Sequence, residues 1–339
     1  MKKRFFSTGK LPLELLENLI KEFHGAEDSS VIAGASIGID AAIIDLGASD
    51  YLIAKTDPIT FVTGRVGQYA ITVNSNDIAC MGGRPRWFLT TLLLPENRTD
   101  ENLVREIFSE LSTACKRLGI TICGGHTEIT YGLDRPIVVG QMLGTLKRGR
   151  TLRPENIRAG DVLILTKAVA IEGTAIIAQE RTEEVKRVFG EQFLKRCLDF
   201  LDDPGISVLK EAQIICQHEG VRALHDPTEG GLATAVYEMA RPTGLGVEIY
   251  YENIKIYEET RRLCSHFNLD PLGVISSGAL LAAVDAGSEE RILKSLRSEG
   301  IEASRIGLFN DRKGELTLIK NSHKTPLERF DRDEITKLF

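Results

Sequence analysis

The chain has 339 residues, which is more than a single hydrophobic core usually serves, so its length predicts two domains. Hydrophobic residues make up 42% and charged residues 27% of it, and its mean hydropathy of -0.07 is ordinary for a soluble globular protein. The formal net charge of -6 argues against nucleic acid or an anionic membrane surface as the partner.

Helices and strands alternate in the first half of the sequence. Apolar residues recur at helical spacing over residues 11–23, from Leu11 to Phe23. A second helix over 102–118 has Thr99 or Asp100 as its N-cap and Gly119 as its stop. The other predictions are strands over 41–45, 51–56, 87–94 and 135–146, and a helix that begins at Val66 and ends at Gly82 and Gly83.

A polar connection separates this half from the next. Residues 147–161 contain five basic residues, Pro154 and two glycines, which is typical of a linker. We therefore predict an N-terminal domain over 1–150 and a C-terminal domain over 151–339. The second half is predicted to be mixed α/β as well, with strands over 162–166, 221–224 and 279–284, helices over 173–187 and 231–240, and one helix within 202–219.

The cysteines and the apolar segments predict a cytoplasmic protein. None of the six cysteines forms a CxxC pair or a recognisable metal-binding spacing, so we expect reduced core thiols. Glu14 and Glu17 interrupt the first apolar stretch, which excludes the hydrophobic region of a signal peptide there. The uncharged run over 271–284 is shorter than a membrane-spanning helix needs.

A single carboxylate stands out in the helix that begins at Val66. Asp77 is the only charged residue from Val66 to Gly83, in a segment that is apolar nearly all round. Such a helix is normally buried, and a buried carboxylate costs free energy unless something pairs with it. A satisfied capping aspartate would explain Asp77 alone. Two further glycine-containing turns, predicted at Gly124-Gly125 and after His225, favour a phosphate and metal site instead.

Three other aspartates are candidates for the same site. Asp40 precedes an apolar strand, Asp57 is predicted in a loop that follows a strand, and Asp226 lies at a strand-to-helix turn. Mg²⁺ prefers carboxylate oxygens and is usually bound together with substrate phosphates. Glycines at turns supply backbone N–H groups to phosphate oxygens. Each aspartate alone is also consistent with an ordinary turn residue.

Seven segments occur in an order that is more specific than any one of them. They are GIDAA from Gly38, KTDP from Lys55, VNSNDIACMGGRP from Val73, GGHTE from Gly124, AGDVLIL from Ala159, HDPTEGGLATAVYEMA from His225 and LDPLGVISSGALL from Leu269. In this order the chain resembles the superfamily of aminoimidazole ribonucleotide synthase, which also contains selenophosphate synthetase, thiamine-monophosphate kinase and the hydrogenase-maturation carbamoyl dehydratase. The string from His225 is most similar to the dehydratase branch.

The resemblance implies a PurM-like fold of two α/β domains, the first contributing to a β-barrel at a homodimer interface. It also implies ATP bound with Mg²⁺, and transfer of the γ-phosphate or its use to activate an amide-type oxygen. Matched position by position, it implies metal ligands at Asp40, Asp57 and Asp77 and nucleotide contacts at Asn76, Gly124, Gly125 and Thr127. Gly38 and Lys55 are further candidates for nucleotide contact, and Asp77, Asp226 and His126 are the candidate catalytic residues.

The chain departs from the family pattern at three places. The dehydratase branch carries its substrate group on a C-terminal cysteine, whereas the last cysteine here is Cys264. His126 stands where close relatives have an acid, and Ile39 where relatives often have a second acid beside Asp40. Since histidine is a poor Mg²⁺ ligand, His126 predicts the loss of one metal contact.

Two classes of function therefore stay open at the level of sequence. The first is an ATP-dependent enzyme that phosphorylates or activates a small or partner-borne substrate, with a small-metabolite kinase as a variant of it. The second is a homodimer that binds nucleotide and has lost the chemistry.

Overall fold

The computed structural model describes residues 11–22, 26, 28–149 and 151–339. The predicted helix end at Phe23 lies outside them; the helix itself, α1, spans Leu13–Glu22. The following elements are β1 (Val31–Ala33), β2 (Ala42–Ile44), β3 (Asp50–Ile59), α2 (Val66–Cys80), β4 (Arg84–Pro95), α3 (Glu101–Leu118), β5 (Thr121–Thr130) and β6 (Ile137–Lys147). The strands form one six-stranded sheet in the order β1-β2-β3-β6-β4-β5.

Helix α2 is the centre of the molecule. All but one of its residues are buried, because it packs on β3, β4 and β6 of its own sheet, on α3, and on elements of the second half. This is the all-round burial that its apolar composition predicts. Its neighbour α3 is amphipathic and begins and ends as predicted: the Asp100 carboxylate accepts a hydrogen bond of 2.8 Å from the Leu103 N–H, and Gly119 closes the helix in the left-handed conformation.

The second half builds its own sheet. Its strands are β7 (Val162–Thr166), β8 (Val221–His225), β9 (Gly246–Tyr250), β10 (Leu280–Val284), β11 (Ala303–Asn310), β12 (Leu316–Lys320) and β13 (His323–Pro326). They form a seven-stranded sheet in the order β13-β12-β9-β11-β7-β10-β8. The α-helices here are α4 (Ile171–Glu180), α5 (Thr182–Phe189), α6 (Glu191–Asp199), α7 (Leu209–Ile215), α8 (Gly231–Ala240), α9 (Glu258–Phe267) and α10 (Glu289–Ser298).

Two local predictions were wrong. The glycine pair after Cys123 does not form a turn, because β5 continues through it and pairs in parallel with β4. Gly125 lies so close to this neighbour that a Cβ atom would stand 2.1 Å from the Thr90 carbonyl oxygen. Likewise, Asp57 lies within β3, opposite Gly140 of β6, and not in a loop after the strand.

The two sheets with their helices confirm the mixed α/β fold in two parts. The boundary at residue 150 stays a prediction. The six cysteines, all among the described residues, form no disulfide; four of them are buried as predicted, whereas Cys123 is exposed. Within the described part of the chain, no helix combines the length and the apolar character that crossing a bilayer requires.

Candidate functional site

Lys55 lies between two of the predicted aspartates. Strand β3 places its ammonium 3.0 Å from an Asp77 carboxylate oxygen and 3.5 Å from an Asp57 carboxylate oxygen. Burial alone would lower the pKa of Lys55, but Asp77, Asp57 and Asp40 outweigh it and raise that pKa, so the lysine stays charged. For Asp77, burial raises the pKa well above its usual range, Lys55 opposes this, and the neighbouring Asp226 and Asp40 add to it.

His225 ends β8 with a carboxylate on each side of its ring. Its Nδ1 is 2.9 Å from an Asp40 oxygen, and its Nε2 is 2.9 Å from an oxygen of Glu238 on α8. Burial would lower the pKa of His225, but the charge of Asp40 and the hydrogen bonds to both carboxylates raise it well above its ordinary value. The ring is therefore a buried imidazolium that holds Asp40 in place.

Asp226 follows His225 and points into the same space. One carboxylate oxygen accepts a weak hydrogen bond from the Cys80 thiol of α2 at 3.5 Å. The other, Oδ2, is buried and has no hydrogen-bond partner among the described residues. Burial and then the charge of Asp40 raise the pKa of Asp226 to about 6, against the opposing effects of His225 and Lys55. Oxygens of Asp40 and Asp226 and a ring nitrogen of His225 lie within 4.8 Å of one another.

These side chains fit a divalent cation. Among the described residues, the aspartates at 40, 57, 77 and 226 lie close together with Lys55 and His225 as their basic partners, so carboxylates outnumber cations. The unpartnered Asp226 oxygen is a hard ligand of the kind that Mg²⁺ prefers. His225 is not available as a ligand, because both of its ring nitrogens already contact carboxylates.

Two of the residues predicted to contact nucleotide, Asn76 and Gly38, make contacts within the protein. The Asn76 amide donates a 2.9 Å hydrogen bond to the Ile206 carbonyl and accepts one of 3.0 Å from the Val208 N–H, so its side chain ties α2 to the second half. Gly38 adopts a positive φ of 76° beside α8, where a Cβ atom would stand 2.9 Å from the Glu238 carbonyl oxygen. Any larger residue would push the Asp40 loop away from α8.

The glycine segment is not part of this cluster within one chain. Asp57 pairs with Gly140, Gly140 with Thr90, and Thr90 with Gly125, so one row of residues crosses the sheet. Three strand spacings separate the ends of that row, which is roughly 14 Å. Gly124, Gly125, His126 and Thr127 lie there, on an exposed edge strand. His126 is 67% exposed and lies 3.1 Å from Glu128, so it removes no ligand from the aspartate cluster of its own chain.

Sequence reasoning missed Glu238 and Cys80. A lone glutamate on a helix is usually solvated, yet the Glu238 carboxylate is largely buried against His225. A signal was present, because Glu238 is the one charged residue of α8, as Asp77 is of α2. Cys80 had no comparable signal, since a thiol in an apolar helix is typical of a core residue.

Two family descriptions match most of the chain. Residues 38–146 match the N-terminal domain and residues 158–319 the C-terminal domain of AIR synthase related proteins. The chain belongs to the AIR synthase related family. Within this family its sequence is 28% identical over 309 residues to a Methanocaldococcus jannaschii protein named as a candidate hydrogenase expression/formation protein, with 88% of each chain covered. It is 27% identical over 306 residues to the carbamoyl dehydratase HypE of Rhodobacter capsulatus, covering 88% of this chain and 86% of that one.

Solved structures of two other proteins are similar to this chain in fold. HypE of Escherichia coli, a hydrogenase maturation protein, has a TM-score of 0.74 at 22% identity, covering 96% of this chain and 100% of that one. Thiamine monophosphate kinase from Aquifex aeolicus has a TM-score of 0.67 at 18% identity, covering 92% and 96%. At these identities the likeness shows the PurM-like fold.

Proposed function

We propose that this protein is an ATP- and Mg²⁺-dependent enzyme that phosphorylates or phospho-activates a carbonyl or amide oxygen of a small or partner-borne substrate. The observation that carries the proposal is the aspartate cluster around Lys55, in which Asp40, Asp57 and Asp77 of the first half meet Asp226 of the second. Its excess negative charge and its unpartnered Asp226 oxygen call for a cation.

Structures of similar proteins support ATP as the ligand in this proposal. A HypE structure with a TM-score of 0.73 was solved in complex with ATP. The thiamine monophosphate kinase structure with a TM-score of 0.70 was solved with AMPPCP and TMP. Another HypE structure, with a TM-score of 0.71, was solved as a complex with HypF, and a protein partner of this kind fits a partner-borne substrate.

Each group of the cluster has a role that follows from its surroundings. The four aspartates would hold Mg²⁺, and the metal with its nucleotide would supply charge neutralisation and the transferable phosphoryl group. Lys55 carries a fixed positive charge beside Asp77 and can hold a phosphate oxygen there. His225 and Glu238 keep Asp40 in one orientation. Asp77 and Asp226 are 3% and 1% exposed, so water is largely kept from these two carboxylates.

We further propose a homodimer, which would account for the distant glycine segment. Strand β5 pairs only with β4 among the described residues and exposes its second edge and the apolar side chains of Ile122 and Ile129, with Tyr131 exposed directly after it. An exposed edge strand is a ready surface for another strand. Across such an interface, one copy can supply the nucleotide contacts of the other copy's aspartate cluster, through Gly124, Gly125, His126 and Thr127.

Calorimetric titration of ATP with and without Mg²⁺, followed by an ADP assay of the same sample, tests the enzyme proposal. We expect Mg²⁺-dependent binding and slow ADP formation. Asp77→Asn removes one carboxylate and should lower Mg²⁺-dependent ADP formation by roughly 100-fold or more. Its melting temperature without ligand should change little, because Asp57 and Asp40 still compensate the charge of Lys55.

Asp311→Asn is the matched control, since Asp311 is exposed in the turn before β12. It should leave both binding and turnover unchanged. Equal turnover in the wild type and in Asp77→Asn would refute the proposed site. ATP binding without ADP formation across a wide panel of acceptors would instead favour the non-catalytic nucleotide-binding homodimer.

A further inference from the structure

A groove separate from the aspartate cluster opens at the C-terminal end of α2, between the two halves of the molecule. It has a volume of about 820 Å³, which is within the range of ligand-binding clefts. The first half contributes Gly82 and adjoining parts of β4 and β6, and the second half contributes α7. None of the four aspartates of the cluster lines it. Its apolar lining consists of Ala79, Leu118, Leu146, Leu152, Leu209 and Ala212.

The charged side chains of this groove are mainly basic. Arg84, Arg86 and Lys147 line it together with one acid, Asp50, so positive charge is in excess among the described residues. All three basic side chains are exposed, and none of them forms an ion pair with a described residue. The chain as a whole is acidic, with a net charge of -6. A basic groove without counter-charges on an acidic protein attracts anions.

A β-bulge in β4 orients Arg86 at this groove. The pairing of β4 with β6 shifts between Pro85 and Trp87, which leaves Arg86 as the extra residue. Bulges of this kind re-aim a side chain and are frequent beside functional sites. The Arg86 guanidinium carbon lies 4.6 Å from the centre of the Trp87 ring, so a cation–π contact holds it. Arg86 therefore differs from a freely solvated surface arginine.

The three basic residues form a row at the end of the first sheet. Arg84 pairs with Thr145 of β6, Arg86 follows Arg84 by two positions, and Lys147 follows Thr145 by two. Because β4 and β6 are antiparallel, these two steps lead in opposite directions, and the row spans roughly 13 Å. Acidic side chains at alternate positions of an extended peptide repeat every 7 Å or about that, which matches one cation for every two strand positions.

The opposite wall offers hydrogen bonds without charge. Gln213 of α7 and Gln217 just after it are exposed and line the groove. A carboxamide both donates and accepts hydrogen bonds, which suits the backbone of an extended peptide. Small-molecule sites instead bury most of their ligand, and three exposed cations in a row do not enclose one. The geometry favours a segment of another protein over a metabolite.

We propose that this groove binds an extended acidic segment of a partner protein, whose alternate carboxylates pair with Arg84, Arg86 and Lys147. Exposed ion pairs contribute little individually and act mainly on the rate of association, so the binding is weak and reversible. Gly82 of the groove follows Asp77 by five positions, roughly 8 Å along a helix, so the partner is held near the aspartate cluster. That this partner carries the substrate rests on the proposed function; the binding of the acidic segment does not.

The fluorescence of Trp87 reports on the groove, because Trp87 is the only tryptophan of the chain and lies beside Arg86. The full-length protein is titrated at low salt with a blocked pentapeptide in which glutamates alternate with glycines. We expect a saturable change in emission, which raising the salt to about 0.5 M abolishes. The same peptide with glutamines should cause none. A saturable change of equal affinity with the glutamine peptide would refute the role of charge.

Two further ligands test the shape of the anion. A peptide of the same composition with consecutive glutamates keeps the charge and loses the spacing, so it should bind several-fold more weakly. Citrate is a small polycarboxylate and should also bind more weakly than the alternating peptide. Equal affinity for the consecutive peptide would indicate unspecific attraction, and equal affinity for citrate would assign the groove to a small anion. Either result would overturn the proposal.

Arg84→Gln combined with Lys147→Gln removes two of the three cations and should weaken binding of the alternating peptide roughly tenfold. The melting temperature should stay close to that of the wild type, since both side chains are exposed. The matched control is Arg187→Gln combined with Lys195→Gln, which removes the same charge from exposed positions on α5 and α6. It should bind the peptide like the wild type. Equal affinity in the two double variants would refute the assignment.

The same variants separate this inference from the proposed function. The groove variant should keep Mg²⁺-dependent ATP binding, and Asp77→Asn should keep peptide binding. If the peptide fails to bind while ATP and Mg²⁺ bind, the inference is wrong and the proposed function stands. If the peptide binds while ATP does not, the reverse holds.

Discussion

Buried acidic side chains in this protein differ in what neutralises them. Asp77 has Lys55 at 3.0 Å, Glu211 has Lys167 at 2.9 Å, and Glu172 has no basic partner within the described part of the chain. Lys167 also donates hydrogen bonds to the Gly205 and Ser207 carbonyls at 3.1 and 2.7 Å. The Lys167–Glu211 pair is thus fully used inside the protein, whereas Glu172 lines a cavity between β3, α2 and α4.

Lys167→Met should therefore be a stability mutation. It leaves the buried Glu211 without its counter-charge and two partly buried carbonyls without a donor, so we expect a loss of about 3–5 kcal/mol in the free energy of unfolding. Urea denaturation at pH 7 measures it. The control is Lys210→Met, whose ammonium pairs with Glu299 at 3.0 Å on the surface and should cost less than about 1 kcal/mol. Similar losses in both variants would contradict the distinction.

Among the secondary-structure elements, β5 differs most from what its sequence predicts. Its sequence contains the family's glycine pair, and its conformation is an extended edge strand with almost every residue exposed. The wrong turn prediction came from giving glycine its usual meaning as a turn residue. The structure uses Gly125 for its missing Cβ instead, because the strand runs close to Thr90 of β4.

Ile129→Glu tests whether this edge is a subunit interface. Ile129 is 57% exposed in the single chain, and a charge there should be unfavourable once a second copy covers it. We expect a dimer for the wild type and a shift to monomer for the variant in sedimentation velocity experiments. Val188→Glu on α5 replaces another exposed apolar residue, 45% exposed, and should leave the dimer intact. Dissociation by Val188→Glu alone would place the interface elsewhere.

At the scale of the whole molecule, burial of acids predicts how stability depends on pH. The pKa of Glu172 rises from 4.5 to about 8 on folding, chiefly through burial. Between these values the folded protein keeps a proton that the unfolded chain has lost, so the free energy of unfolding falls as the pH rises. The contribution of one such group approaches about 1.4 kcal/mol per pH unit.

Urea denaturation of the ligand-free protein between pH 5 and pH 8 should show this decline, in steps of about one pH unit. Glu172→Gln should flatten it, because an amide does not titrate. Glu183→Gln should keep the wild-type slope, since Glu183 is exposed at the start of α5. An unchanged slope in Glu172→Gln would mean that other groups carry the dependence, and a rise in stability with pH would contradict the sign.

The sequence was sufficient for the regular elements and for half of the site. The all-apolar composition of α2, the caps of α3 and the buried strand β7 each follow from a local pattern, and the structure confirms them. Asp40, Asp57, Asp77 and Asp226 were each visible as candidates, but their meeting point depends on how the two halves pack. The pairing of His225 with Asp40 joins residues 185 positions apart in the chain, and no local pattern specifies such a contact.

The adjacency of Asn76 and Asp77 has a mechanical consequence. One side chain fastens α2 to the Ile206 and Val208 backbone of the other half, and the next residue carries a carboxylate of the cluster. Relative motion of the two halves must therefore either break the hydrogen bonds of Asn76 to Ile206 and Val208 or move the Asp77 carboxylate together with the second half. The contact between the two halves and the carboxylate of the site therefore lie on the same turn of α2. Slow hydrogen exchange at the Val208 amide, which donates to Asn76, would show that this contact is maintained and the site assembled.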